Sequence, residues 1–247
     1  MTNIGLDFHC IEASLTSMQE ELRLAGTLLG AHRDPLDRRV IDNMLAGYAY
    51  TERLASQSLE PFARVEHVLE LNRLVLCGTD PHRRHEFRSH LEATELRFYE
   101  EANAGIEDIV DWMRLQKGRS IWERAAAAHI RILAKPQLFI EGNHRTGALV
   151  MSWILMRGGK PPFVLSKSNA VSYFKPSASI RDIRKSSMLG MLRLPRIQRR
   201  FADFIQQDSN PRYLSGQGSV DSAQAIVGST PRPASDSALI AASGIER

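Results

Sequence analysis

Leu15, Met18, Leu22, Ala25 and Leu29 recur at intervals of three and four, and Val40, Met44, Leu45 and Tyr48 do the same. That spacing predicts helices across Asp7 to Ser58, broken at Asp34-Pro35. A third helix is expected from Pro61 to Leu76, with Val65, Val68, Leu69, Leu71, Leu74 and Val75 apolar, Pro61 in its first turn and Gly78 ending it. Between Phe87 and Tyr99 no helical stripe emerges. Leu91, Ala93, Glu95, Arg97 and Tyr99 alternate with His90, Glu92, Thr94, Leu96 and Phe98, and a short β-hairpin or extended flap is expected there. Helical spacing returns at Ile106 to Leu115 and at Ile121 to Leu133, the latter centred on Ala125 to Ala128. A loop follows from Lys135 to Gly147, marked by Pro136, Gly142 and Asn143, and leads into an apolar helix from Ala148 to Arg157 that Gly158-Gly159 closes. Further helices are expected at Ser168 to Phe174, Ile180 to Leu192 and Arg196 to Gln207. The fold class is therefore mainly α, a helical domain with a short β-hairpin flap.

The last 40 residues, Asp208 to Arg247, hold eight Ser, six Ala, four Gly and three Pro against one aromatic, Tyr213. Such a segment has little to bury and reads as a flexible tail. Over all 247 residues, 43% are hydrophobic and 24% charged, which excludes a mainly disordered or fibrous chain and allows one substantial core. The longest apolar run, Ala148 to Met156, is too short for a bilayer, where about 18 residues are needed. The N-terminus lacks the basic and then apolar regions of a cleaved secretion signal. A cytoplasmic address without a membrane partner is the expectation, with export without such a signal left open. Cys10 and Cys77 are too few for a disulfide framework or a zinc site and read as buried thiols in a reducing compartment. The net charge of +4 is unevenly spread: Ser89 to Asp111 carries seven acids and one base, Arg157 to Arg200 eleven bases and one acid. The basic stretch suits phosphates, acidic protein or nucleic acid, and equally a solvated helix face. It lacks the interleaved aromatics of single-strand binding, which argues against nucleic acid.

The loop concentrates the chemistry. Glu141-Gly142-Asn143-His144-Arg145 opens into a helix N-terminus, where unpaired N–H groups and partial positive charge favour an anion. Gly142 lets the backbone curl into a nest, Arg145 adds a planar donor fork suited to phosphate, and Asn143 can donate a further bond. Glu141 is a hard oxygen ligand for a Mg²⁺ that bridges phosphates. A polar loop capped onto a helix is also an ordinary structural arrangement, and Gly-Asn is a frequent turn pair. His129, within the alanine-rich helix, reads as a satisfied core histidine.

Phe139-Ile140-Glu141-Gly142-Asn143-His144-Arg145 resembles the signature of the Fic/Doc family, His-Pro-Phe-x-(Asp/Glu)-Gly-Asn-Gly-Arg-x-x-Arg. Phe87-Arg88 resembles the aromatic-Arg pair that leads into that family's flap, and Ile106 to Met113 and Arg124 to Leu133 resemble its helices, so the likeness covers about Val65 to Gln206. The resemblance implies a Fic-like domain over 61–207 with an N-terminal helical extension over 1–60. It implies transfer of a nucleoside monophosphate, usually AMP from ATP, to a hydroxyl of a target protein. Mg²⁺ would sit on Glu141, and Phe139, Gly142, Asn143, His144, Arg145 and Thr146 would surround the nucleotide. The target would dock by strand addition at the flap near Phe87 to Tyr99.

The match has gaps. Gln137 stands where the family has its general-base His, and it cannot take a proton at neutral pH. Leu138 replaces the Pro, His144 replaces the second Gly and narrows the anion hole, and Ala148 replaces the second Arg. Three readings follow: a Fic-type nucleotidyltransferase with an altered site, in which Gln137, His144 and Arg145 are the candidate catalytic positions; a degenerate domain that binds nucleotide or protein; or a helical interaction protein whose basic half meets acidic partners or nucleic acid. Ser56 to Glu60 also matches the start of the family's inhibitory motif, although Pro61 follows and the usual arginine partner is absent. The donor nucleotide, and whether the chain forms a homo-oligomer, stay open.

Overall fold

The computed structural model describes residues 5–29, 37–100 and 105–215, and for 20–29 the backbone alone. Ten α-helices follow one another among these residues: α1 (Phe8–Leu29), α2 (Arg38–Ser56), α3 (Glu66–Cys77), α4 (Pro81–Glu86), α5 (Arg88–Glu100), α6 (Ile106–Leu115), α7 (Ile121–Leu133), α8 (Asn143–Arg157), α9 (Ala170–Arg181) and α10 (Met188–Gln207). A single 3₁₀ turn, Pro211–Tyr213, closes the described chain. The expected breakpoint at Asp34-Pro35 and the tail beyond 215 lie outside the described residues.

α8 is the axis. Ala148 to Met156 are all buried, so this helix is apolar on every side and must be surrounded. α7 packs along it, and Ala125, Ala126, Ala127 and Ala128, each with no exposure, lie buried between α8 on one side and α10 on the other. α2 and α3 cover other sides, and α10 lies on the far side of α7. Ile11, Leu15, Ile41 and Tyr48 of α1 and α2 join the same core cluster as Trp153 and Leu149. The capping box at Ser120 and Glu123 starts α7, as paired satisfaction of orphan N–H groups requires.

Several expectations are corrected. The β-hairpin expected over Phe87 to Tyr99 is absent, because Arg88–Glu100 is helix α5. Only Thr94 and Phe98 of α5 are buried, one turn apart, so the core-facing stripe is too narrow to show as a period. The segment holds strong helix formers (Glu92, Ala93, Glu95, Leu96, Arg97) and no Gly or Asn pair to turn a hairpin. Residues 61–65 form turns ahead of α3, with Phe62 at φ +71°, so Pro61 is outside the helix. α8 starts at Asn143, five residues before Ala148. The chain breaks between Arg181 and Met188, and α10 then runs through Pro195. That proline leaves the carbonyl of Met191 without its helical N–H partner, on a residue that is 63% exposed. Residues 208–215 of the expected tail are packed: Tyr213 is buried, Leu214 bridges Leu6, and the Tyr213 hydroxyl lies 3.0 Å from Ser14 Oγ.

Two buried polar features tie the helices together. Asp108 of α6 accepts from Arg131 of α7 through both oxygens and from Lys185 Nζ at 3.1 Å. Burial pulls the Lys185 ammonium down to about 8, with Asp108 opposing that shift. His129 is a core histidine but not a satisfied one. It has no exposure, stacks on Phe201 at 5.1 Å, and neither ring nitrogen has a hydrogen-bond partner. Burial drives its pKa down to about 3, with His144 adding to the shift.

The unfolded chain therefore holds a proton on this imidazole between about pH 6.5 and 3 that the native chain refuses, so stability falls as pH drops through that window. His129→Phe, which keeps the stack, is expected to flatten that acid limb. Urea midpoints measured from pH 7 to pH 4 would test it, and parallel wild-type and variant curves would refute it.

Candidate functional site

The site is a loop held from three sides. Lys135 is joined to the chain before α10: its N–H donates to Ile183 O at 2.8 Å, and its carbonyl accepts from Lys185 N at 2.7 Å. The Lys135–Pro136 peptide is cis. Arg97 of α5 donates through Nε and Nη2 to the carbonyl of Gln137, at 3.2 and 2.8 Å. Phe98, beside it, stacks on Phe139 with ring centres 5.6 Å apart. α5 thus lies against the loop where a hairpin flap was expected.

The turn itself is built by two asparagines. Asn143 is buried; its Oδ1 accepts from Phe139 N at 2.9 Å and its Nδ2 donates to Phe139 O at 2.8 Å. Asn72 of α3 has no exposure, and its Nδ2 donates to Glu141 O at 2.9 Å and to Thr146 Oγ1 at 3.0 Å. Between them Gly142 adopts φ +76°, and a Cβ there would lie 3.0 Å from Asn72 Nδ2 and 3.1 Å from Val75 Cγ1. Both the left-handed backbone and the close approach require glycine. Gly142 is the N-cap of α8 and supplies no capping side chain, so the helix start keeps its backbone amide dipoles without a cap from that residue.

The residues expected at the site divide in two. Phe139, Asn143 and Thr146 are buried supports. Gln137, Gly142, His144 and Arg145 are partly exposed and Glu141 is exposed. Arg145 Nη1 donates to Val75 O at 3.3 Å, which orients the guanidinium across the end of α3. The His144 carbonyl accepts from Tyr173 Oη at 3.0 Å, and its ring sits 6.3 Å from Tyr173 and 6.4 Å from Phe174, centre to centre. His144 is therefore turned toward α9. Glu60 lies elsewhere: it pairs with Arg157 at 2.5 Å, at the opposite end of α8, so Ser56 to Glu60 does not reach this loop.

Asn72, Arg97 and Tyr173 had not been singled out from sequence. Asn72 left one signal, a polar residue on the buried stripe between Leu71 and Leu74. Arg97 and Tyr173 left none, since their partners are backbone carbonyls distant in sequence.

Glu141 fits a Mg²⁺ ligand. Its carboxylate is exposed and makes no hydrogen bond or ion pair with another described residue. No group of three or more His, Cys, Asp or Glu side chains forms a metal cage among the described residues. Mg²⁺ commonly takes one or two carboxylates and completes its shell with phosphate oxygens and water.

Residues 62–155 match the model of the Fic/DOC family, in agreement with the resemblance read from the loop. The span runs from the turns before α3 nearly to the end of α8. The protein adenylyltransferase fic-1 of Caenorhabditis elegans is 33% identical over 129 residues, 49% of this chain and 25% of that protein. The protein adenylyltransferase Fic of Drosophila grimshawi is 28% identical over 195 residues, 74% of this chain and 38% of that protein. The chain thus spans well under half the length of these relatives. Among solved structures, residues 134–508 of Fic-1 from C. elegans align with a TM-score of 0.46 and 22% identity, over 81% of this chain and 61% of that one. No helix among the described residues is long and apolar enough to cross a membrane.

Asn72→Leu is expected to strip Glu141 O and Thr146 Oγ1 of their donor. It should cost about 1–3 kcal/mol of stability and speed amide exchange across 139–146 relative to α6. Exchange mass spectrometry reads this directly; unchanged exchange in that loop would show that α3 does not hold the turn.

Proposed function

We propose that this chain handles a Mg²⁺–nucleotide at the start of α8 and transfers its nucleoside monophosphate to a hydroxyl of a protein side chain, the AMPylation type of reaction. The observation that carries this reading is the left-handed Gly142 turn that opens α8 without a capping side chain, with the exposed Glu141 just before it and Arg145 in the first helical turn. ATP is the first donor to test. The Fic-like unit is taken as 61–207, with 1–60 as a helical extension.

The residues divide the work as follows. The first-turn amides of α8 and Arg145 hold phosphate oxygens, where the helix dipole and a fixed cation cost no reorganisation. Glu141 would hold Mg²⁺, which would supply charge neutralisation on the phosphates. The acceptor hydroxyl attacks the α-phosphorus, the bond to the bridging oxygen breaks, and pyrophosphate leaves. Gln137 can accept a hydrogen bond from that hydroxyl but not its proton, so the proton passes to water. His144, packed against α9, is a wall of the site rather than a substitute base. Positioning and charge neutralisation still operate without a base, as phosphoryl transfer allows, at a rate lower by about 10²–10⁴-fold. Gln137 also favours a second reading, in which the domain binds nucleotide or a protein and transfers nothing.

Titration of the protein with ATP, GTP, UTP and CTP, with and without Mg²⁺, tests the site. Metal-dependent binding is expected, lost in Glu141→Ala and weakened in Arg145→Ala; unchanged affinity in both would refute the assignment. Gln137→His separates the two readings. It should raise transfer to protein, read as added mass, by about 10²–10⁴-fold, and no gain despite intact nucleotide binding would favour the binding module.

A further inference from the structure

We propose that the outward face of α10 is the docking surface for the protein that receives the transferred group, and that it takes an acidic segment bearing large apolar side chains. The proposal rests on the transferase reading above and names the partner class for the same site.

Four observations converge. The first is place. The chain leading into α10 is joined to the loop through the Lys135–Arg184 bridge, two residues before Gln137, and is fixed from beneath by Lys185 on Asp108. The tip of α10 therefore stands beside the end of the loop where the acceptor must arrive. The second is the helix face. The core side of α10 is Gly190, Leu194, Gln198 and Phe201. Helical spacing puts Met188, Leu192 and Arg196 on one outward line and Leu189, Arg193 and Arg200 on the next. The result is an apolar tip followed by a cationic shelf, about 18 Å long at 1.5 Å per residue.

The third is exposure. Met188, Leu189 and Leu192 are 77%, 52% and 66% exposed, a concentration of large apolar surface of the kind that marks interaction sites. Arg193, Arg196 and Arg200 are exposed and have no acidic partner among the described residues, and no Asp or Glu occurs between Asp182 and Asp203. The fourth is the missing alternative: Phe87 to Tyr99 is largely helix α5 and offers no strand edge for a target to extend.

A peptide fits better than a bilayer. Neighbouring α6 presents Asp111 and Glu107 beside the Lys185–Asp108 contact. A broad anionic surface would meet those acids, whereas a short acidic segment along Met188 to Arg200 meets the arginines and stops short of the exposed Asp203.

The test is selection of random displayed peptides on the full chain without nucleotide, with hits measured by fluorescence anisotropy. Hits should combine Asp or Glu with large apolar residues. Their affinity should fall about tenfold or more in Met188→Ser/Leu192→Ser and in Arg196→Glu/Arg200→Glu, both checked for wild-type circular dichroism. Failure to enrich such peptides, hits indifferent to both variants, or stronger attachment to phosphatidylserine vesicles that both variants abolish would each overturn the proposal. Because nucleotide is absent, the outcome is separate from that of the ATP titration. A chain that docks these peptides through α10 but binds no nucleotide would sink the transferase reading and leave α10 a plain binding surface.

Discussion

The left-handed turn at Gly142 is the constraint on which the site depends. It is made by opposition: Asn143 pulls the loop inward by both backbone groups of Phe139, while Asn72 pins the carbonyl before the turn and the hydroxyl after it. Both asparagines are buried, and releasing these bonds would leave further buried amide groups unpaired, beyond Asn72 Oδ1, which already lacks a partner. The turn then dictates what faces solvent. Phe139, Asn143 and Thr146 go inside, with Glu141 just before the helix start and Arg145 in its first turn. A residue's place in a signature thus does not settle whether it meets a ligand or supports one that does.

Around this turn the fold is a sleeve for one helix. α8 is apolar on all sides because α2, α3 and α7 surround it. The contact between α7 and α8 is close at His129. Gly147 leaves so little room that a Cβ there would lie 2.7 Å from the imidazole Nδ1, and Phe201 closes the other side. A neutral imidazole fits; a charged one would lose its hydration with only the Gly147 backbone to offset the loss. The Asp108 group solves the reverse problem, holding two cations on one carboxylate and so fixing the turn before α10 to α6 and α7.

The segment from Phe87 to Tyr99 shows why pattern and structure part. Its alternation reads as extended chain only if two faces must be distinguished along its length. In the folded molecule α5 touches the core through Thr94 and Phe98, so most of its positions are under no burial constraint and carry no period. Local helix propensity then decides, and the helix brings Arg97 and Phe98 onto the loop. The contact replaces the surface on which strand addition would have depended.

Much of the rest was legible in the chain alone. The helical periods of α1, α2, α6, α7 and the apolar run of α8 follow from burial at intervals of three and four, a local rule that needs no tertiary information. The loop was singled out through its resemblance to the Fic/Doc signature, since a glycine, a carboxylate and a guanidinium at a helix start are by themselves also an ordinary structural arrangement. What only the tertiary structure decided are the contacts between distant segments: Asn72 on the turn, Arg97 on Gln137, Tyr173 on His144, Glu60 at the far end of α8, and α10 beside Lys135. Each joins groups tens of residues apart, side chain to backbone, charge to charge or, at Lys135, backbone to backbone, and such pairings leave no period in either partner.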